Sequence, residues 1–200
     1  MRDIARSWYT SKKENNMNID EMQEIIKCAK SLTYFAEQCV CLCSTGYKPL
    51  KLYPKQKQIL ESYQDNNFTI LQKTRQAGSS MLSEITALWY ALFNDNKTVI
   101  LMAHKLDMSR SMIFCIIEQY KKLPNYLQNP IVREDVCNIH FKNGSTISAV
   151  SSNPDSLRGY AIDLLIIDEA TYFMNNYFES VFKFNFPVLS ANIFSNYRIL

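Results

Sequence analysis

The sequence lacks any apolar run long enough to cross a membrane, which takes about 18 consecutive apolar residues or more. Its first residues, Met1–Arg6, also lack the apolar segment of a signal peptide. Neither sign of charge dominates, because 22 Lys and Arg stand against 19 Asp and Glu. The net charge of +3 is too small to indicate nucleic-acid binding by itself. We therefore expect neither membrane insertion nor secretion.

The six cysteines lack the paired spacing of a zinc site. Three of them alternate within Cys39–Cys43, but no CxxC pair matches them and neither histidine is near them in sequence. This pattern favours reduced cysteines in the core of a cytosolic protein over a metal centre.

Short aliphatic runs alternate with segments of helical spacing, which predicts an α/β fold with a mostly parallel sheet flanked by helices. The predicted buried strands are Phe68–Gln72, Thr98–Ala103 and Leu164–Asp168. Tyr197–Leu200 has the pattern of a further strand at its beginning, so the sequence predicts a C-terminally truncated fold.

The dipeptide Asn143-Gly144 predicts a β-hairpin inserted in this fold. Alternating apolar residues flank it on both sides, in Cys137–Phe141 and Ser145–Val150. Asn-Gly between two such runs is a strong hairpin signal.

Two carboxylates follow the aliphatic strand Leu164–Ile167 directly. Ligands of open α/β sheets bind at the carboxyl ends of the strands, which is where Asp168 and Glu169 are expected. Asp168 suits a magnesium ion and its water shell, and Glu169 suits a general base that activates water. The alternative is a charged turn that leaves a buried strand.

A phosphate-binding loop is predicted between Phe68–Gln72 and the helix that follows, although its pattern is incomplete. Aligning Gly78 with the second glycine of G-x-x-x-x-G-K-[ST] puts Ser79 where the lysine belongs, while Ser80 keeps the magnesium-binding hydroxyl. Lys73, at the head of the loop, is a candidate to replace the missing charge. A serine-rich helix cap would explain Gly78–Ser80 equally well.

Tyr53 and Gln56 precede this loop and are candidates to bind a purine, by ring stacking and by an amide hydrogen bond to the base edge. An ordinary amphipathic helix that begins at Pro54 is the alternative, and spacing alone favours it.

Seven blocks, in order, make the chain from about Cys28 to Leu200 resemble the ATPase domain of the large terminase subunit, the DNA-packaging motor of tailed phages, in particular the T-even type. The blocks are Leu52–Gln56, Thr74–Ser80, Leu101–Lys105 with Met108-Ser109, Leu123–Gln128, Asn143–Ser145, Ser151–Gly159 and Ile166–Ala170.

The resemblance implies a P-loop NTPase of the RecA-like, additional-strand catalytic-glutamate (ASCE) class that uses ATP and Mg²⁺. It implies adenine binding by Tyr53 and Gln56, magnesium binding by Ser80 and Asp168, and catalysis by Glu169. It further implies that Arg75 senses the γ-phosphate and that Arg158 is an arginine finger. The divergent Walker A segment would comprise Lys73, Thr74, Arg75, Gln76, Ala77, Gly78, Ser79 and Ser80.

The same resemblance implies the domain organisation and the partners. The polarity of the first residues and the helical spacing after them predict an N-terminal arm and helical lead-in over residues 1–50. The resemblance implies that residues 51–200 form an ATPase domain that is incomplete at its C-terminus and lacks the nuclease domain. The partners would be double-stranded viral DNA, the portal protein and the small terminase subunit. The full-length subunit would assemble as a homo-oligomeric ring in the host cytoplasm.

Two other functions stay open at this stage. A helicase-like DNA translocase would share the P-loop, but a second motor domain does not fit into 200 residues. A catalytically inactive remnant that serves as an assembly or DNA-binding module would explain the missing lysine and the truncation. The adjacent Asp168 and Glu169 argue against the inactive module.

Overall fold

The structure is a computed structural model that describes residues 18–43, 46–72, 78–157, 159–169 and 198–199. Its helices are α1 Ile19–Lys30, α2 Leu32–Glu37, α3 Pro54–Asp65, α4 Ser79–Phe93 and α5 Leu106–Lys122, with short 3-10 helices at Asn125–Leu127 and Pro154–Leu157. Its strands are β1 Val40–Cys43, β2 Gly46–Pro49, β3 Thr98–Met102, β4 Ile131–Glu134, β5 Asn138–Phe141, β6 Thr146–Val150, β7 Leu164–Ile167 and β8 Arg198–Ile199.

A six-stranded sheet with the order β4-β5-β6-β3-β7-β8 forms the centre of the fold. β3 pairs in parallel with β6 and β7, and β7 pairs in parallel with β8, whereas β4, β5 and β6 are antiparallel. β1 and β2 form a separate antiparallel pair. Together these pairings confirm the predicted α/β fold with a mostly parallel sheet flanked by helices.

The middle of the sheet is buried on both faces, as continuous aliphatic strands require. Residues 99–102 of β3 and 164–166 of β7 are at most 1% exposed. Helix α4 is apolar almost all round and is correspondingly buried, with α2, α3 and α5 packed against it. The indole of Trp89 donates a hydrogen bond to the carbonyl of Cys28 (2.9 Å), which ties α4 to α1.

The predicted hairpin is confirmed, but it belongs to the main sheet. β5 and β6 pair around Asn143-Gly144 with His140 opposite Thr146, and β6 then runs parallel to β3. Gly144 has φ of +81°, the left-handed conformation that such a turn requires. Of the strand predicted at Tyr197–Leu200, the residues Arg198–Ile199 form β8, and the other two lie outside the described residues.

The prediction of a buried strand at Phe68–Gln72 is wrong. Ile70 is 80% exposed and Phe68 is 39% exposed, and residues 68–72 belong to neither described sheet. An apolar run becomes a buried strand only beside another strand that takes up its backbone N–H and C=O groups. The exposure of this run is set by the elements that surround it, which the run itself does not encode.

Cys28 and Cys39 are buried free thiols, as predicted for core cysteines, whereas Cys115 and Cys137 are only partly buried. Burial raises the pKa of Cys28 to about 12. Among the described residues, no helix has both the length and the apolarity to span a membrane.

Candidate nucleotide-binding site

Two side chains that are 88 residues apart in sequence meet at the carboxyl edge of the sheet. β7 ends at Ile167, and the backbone N–H of Asp168 donates to the carbonyl of Met102 (2.9 Å), which extends the pairing with β3. Ser80 lies in the first turn of α4, and its hydroxyl donates to Oδ2 of Asp168 at 2.6 Å. The structure therefore places the predicted magnesium hydroxyl and the predicted magnesium carboxylate in direct contact.

Glu169 has a backbone conformation that is uncommon for a residue with a side chain. Its φ is +54°, and its N–H donates to Oδ1 of Asp168 at 3.0 Å. Left-handed non-glycine residues cost free energy and are concentrated at functional sites. This turn hydrogen-bonds Asp168 and leaves the Glu169 side chain exposed to solvent.

The start of α4 lies against the candidate adenine-binding residues. Gly78 precedes the helix with φ of +75°, and a Cβ at this position would lie 3.0 Å from Nε2 of Gln56. Oε1 of Gln56 accepts a hydrogen bond from the backbone N–H of Tyr53 (3.0 Å). The ring of Tyr53 is 72% exposed, so it is accessible to a stacking base. The left-handed conformation of Gly78 favours glycine, and a side chain there would also displace the amide of Gln56.

The first turn of α4 is the expected anion-binding element. Its backbone N–H groups have no partner within the helix, and the positive end of the helix dipole lies there. Gly78 provides no capping side chain, and the side chain of Ser79 is buried. The remaining predicted residues lie outside the described part of the chain. They are Lys73, Thr74, Arg75, Gln76, Ala77 and Arg158.

The donors that meet at this edge fit magnesium, which prefers hard oxygen ligands and keeps most of its waters. Asp168 offers a carboxylate and Ser80 a hydroxyl. No group of three or more His, Cys, Asp and Glu that could hold a metal occurs in the described ranges. A cation held by one or two protein oxygens together with substrate phosphates needs no such cluster.

Sequence reasoning missed two buried groups behind this edge. Glu84, on α4, is 8% exposed, and burial together with the charge of Asp168 raises its pKa to about 8. Tyr63, on α3, is 2% exposed and hydrogen-bonds Ser83; burial raises its pKa, and the charge of Asp168 adds to the effect. The available signal for Glu84 was a single acid within an otherwise apolar helix.

Comparisons with known proteins point to one family. A family model for the N-terminal part of the T4-type large terminase subunit matches residues 70–185. The large terminase ATPase domain of Thermus phage P74-26 has a similar structure, with TM-score 0.60 and 17% identity over 74% of this chain and 64% of that chain. The large terminase of bacteriophage HK97 gives 0.65 at 14% identity, over 86% and 36% of the respective chains.

A third neighbour, the large terminase of a thermophilic bacteriophage, has TM-score 0.56 and 12% identity, over 75% of this chain and 38% of that chain. At these identities the solved structures establish the fold alone. The chain spans less than two thirds of the length of each of the three.

Proposed function

The chain belongs to the T4-type large terminase family, in its N-terminal domain, and from that premise we propose that it is the ATP-hydrolysing domain of a motor that moves double-stranded DNA into a viral procapsid. The hydrogen bond between Ser80 and Asp168 carries the proposal. P-loop ATPases hold magnesium with a loop hydroxyl and the acid at the end of a neighbouring strand. A 2.6 Å contact between these two groups is what such a site needs.

In this proposal, Asp168 and Ser80 bind the magnesium ion of Mg–ATP. Bound there, the ion neutralises charge on the β- and γ-phosphates. The N–H groups of the first turn of α4 bind phosphate oxygens, together with the segment 73–78 that precedes them. Lys73 supplies the positive charge that Ser79 cannot. Tyr53 stacks on the adenine, and Gln56 hydrogen-bonds its edge.

Glu169 is the proposed general base. It lies next to the magnesium-binding carboxylate, and its exposed side chain accepts the proton of the attacking water. Arg75 and Arg158 are proposed to stabilise the negative charge that develops on the transferred phosphoryl group, with Arg158 acting on a neighbouring subunit. Residues 51–200 form the proposed ATPase domain.

The proposed partners are those of the whole motor. They comprise double-stranded viral DNA, the portal protein, the small terminase subunit and further copies of the large subunit in a ring. The proposed place of action is the host cytoplasm, where viral heads are filled.

A second candidate function, an inactive assembly or DNA-binding module, is favoured by one observation. Ser79, at the position of the missing lysine, is 4% exposed, so its side chain turns into the protein rather than towards an incoming phosphate.

Glu169→Gln tests the proposal directly. We expect the rate of ATP hydrolysis to fall by about 10²-fold or more, because the amide cannot accept the proton, while nucleotide affinity changes little. The matched control is Glu134→Gln on the exposed part of β4, which should hydrolyse ATP at the parent rate. Hydrolysis that is unchanged in Glu169→Gln, or undetectable in the parent chain, would contradict the proposal and favour the inactive module.

A further inference from the structure

One face of α3 joins the two halves of the proposed nucleotide site. Gln56, Leu60 and Tyr63 follow one another at the spacings of four and three residues that place side chains on the same side of a helix. Leu60 and Tyr63 are buried, and α3 packs against α4. The candidate base-binding groups lie at the start of α3, and the candidate phosphate- and magnesium-binding groups lie at the start of α4. The packing of α3 on α4 therefore sets the distance between the two halves.

The first polar contact between these helices is made by Gln56, near the start of α3. Its side-chain amide lies against Gly78, where a Cβ would come within 3.0 Å of Nε2. Oε1 of the same amide accepts a hydrogen bond from the backbone N–H of Tyr53 (3.0 Å). Gln56 thus contacts both the residue proposed to stack on the base and the residue that precedes the phosphate-binding turn.

The second polar contact lies two helical turns further along α3, where Tyr63 hydrogen-bonds Ser83 of α4. Tyr63 is 2% exposed and Ser83 is 8% exposed. Sliding one helix along the other would break this bond at a place where water cannot replace it, which costs free energy. The apolar contact of Leu60 between the two levels resists sliding less, because hydrophobic contacts are not directional. The hydrogen bond of Tyr63 therefore specifies the register of α3 on α4.

We propose that Tyr63 is a positioning residue of the nucleotide site, which holds the base-binding end of α3 in register with the phosphate-binding end of α4 through its hydrogen bond to Ser83. This inference rests on the proposed function, since it requires a base on α3 and phosphates on α4. A ligand that contacts both helices gains affinity from their fixed register, because less free energy is spent on ordering them when it binds. A ligand that contacts α4 alone gains nothing from it.

Two ligands that carry the same two phosphates distinguish these cases. ADP would reach both helices, whereas pyrophosphate lacks the base and would reach α4 alone. Calorimetric titration of each ligand in the presence of Mg²⁺ gives the ratio of the two affinities. We expect Tyr63→Phe to weaken ADP binding by about threefold to tenfold, the range that the net contribution of one hydrogen bond allows, and to leave pyrophosphate binding unchanged.

Two further variants show whether the hydrogen bond itself is responsible. Ser83→Ala removes the other partner and should weaken ADP binding to the same extent, with little further loss when the two substitutions are combined. The matched control is Tyr120→Phe on α5, which removes another buried tyrosine hydroxyl, one that donates to the carbonyl of Asn129 (2.8 Å). We expect this control to be less stable than the parent but to keep the parent's ratio of ADP to pyrophosphate affinity.

The parent chain separates this inference from the function on which it rests. If the parent prefers ADP, then an unchanged affinity ratio in Tyr63→Phe, or an equal change of the ratio in Tyr120→Phe, would refute the role of Tyr63 alone. A parent that binds ADP no more tightly than pyrophosphate would refute base binding by Tyr53 and Gln56, and a parent that binds neither ligand would refute the proposed nucleotide site. The role of Tyr63 would be refuted together with them in both cases.

Discussion

The two ends of α4 are held in different ways. At its carboxyl end, the side-chain amide of Asn143 donates to the carbonyls of Ala91 (2.9 Å) and Asn94 (3.0 Å). At its amino end, Gly78 offers no capping side chain, and the side-chain bond from Ser80 to Asp168 crosses to the sheet instead. One end has backbone carbonyls that accept hydrogen bonds from a hairpin side chain, while the other is joined to the sheet edge by the side chain of Ser80.

The carboxyl end is fixed by the turn of the β5–β6 hairpin. Ser145 donates its hydroxyl to the carbonyl of Asn94 (2.5 Å) and accepts a hydrogen bond from the N–H of Lys97 (3.0 Å). A Cβ on Gly144 would lie 2.2 Å from Oδ1 of Asn96. The turn is therefore in close contact with the loop that follows α4. The far end of α4 is therefore held by side chains of the hairpin turn, whereas its near end is joined to the sheet through Ser80 and is the proposed phosphate-binding end.

The largest expected effect is a dependence of the free energy of unfolding on pH, caused by Glu84 near the amino end of α4. The folded chain keeps the proton of Glu84 up to about pH 8, whereas the unfolded chain loses it near the ordinary pKa of 4.5. The folded state therefore binds more protons between these values, and the free energy of unfolding falls as pH rises through them. At about 1.4 kcal/mol per pKa unit, this loss over a shift from 4.5 to about 8 is on the order of 5 kcal/mol.

Urea unfolding of the parent and of Glu84→Gln from pH 5 to pH 8.5 measures this effect, because the difference between the two curves cancels the other titrating groups. We expect Glu84→Gln to become progressively more stable than the parent as pH rises. If the free energies of unfolding of the two proteins changed in parallel with pH, Glu84 would not be a buried, protonated acid. The amino end of α4 would then not differ from the carboxyl end in its response to pH.

A smaller effect is expected at the far end. Asn143→Ala removes the donor that satisfies two partly buried carbonyls, and we expect it to lower the free energy of unfolding by about 2 kcal/mol at every pH. Chemical denaturation provides the measurement. Asn66→Ala is the matched control, since Asn66 makes the corresponding bond to the carbonyl of Ser62 (3.0 Å) at an exposed helix end, where water can replace it. Equal losses in the two variants would contradict the anchoring role of Asn143.

Local chemistry in the sequence predicted the fold and part of the site. The aliphatic strand before Asp168 and the serine at the start of α4 both carry short-range signals, and strand–helix alternation implies that they converge at one sheet edge. The sequence signal for the hairpin at Asn143-Gly144 was equally short-range. The sequence did not predict contacts between residues that are far apart in the chain. The capping of α4 by Asn143 joins residues that are about 50 positions apart, and no short pattern encodes it.

Burial was the second property that the sequence could not supply. The acid Glu84 looks like a surface residue until α2, α3 and α5 are packed around α4. Conversely, Ile70 looks like part of a core strand and is exposed. In both cases, burial is set by the surrounding elements and not by the residue type.

The most direct test of the account is equilibrium binding of ATP to the chain with and without Mg²⁺, in the parent and in Asp168→Asn. We expect Mg²⁺ to strengthen ATP binding to the parent and this strengthening to be lost in Asp168→Asn, while Asn143→Ala, measured on its folded fraction, retains it. ATP binding that is independent of Mg²⁺, or equally strengthened by Mg²⁺ in Asp168→Asn, would contradict the claim that Ser80 and Asp168 form the magnesium site.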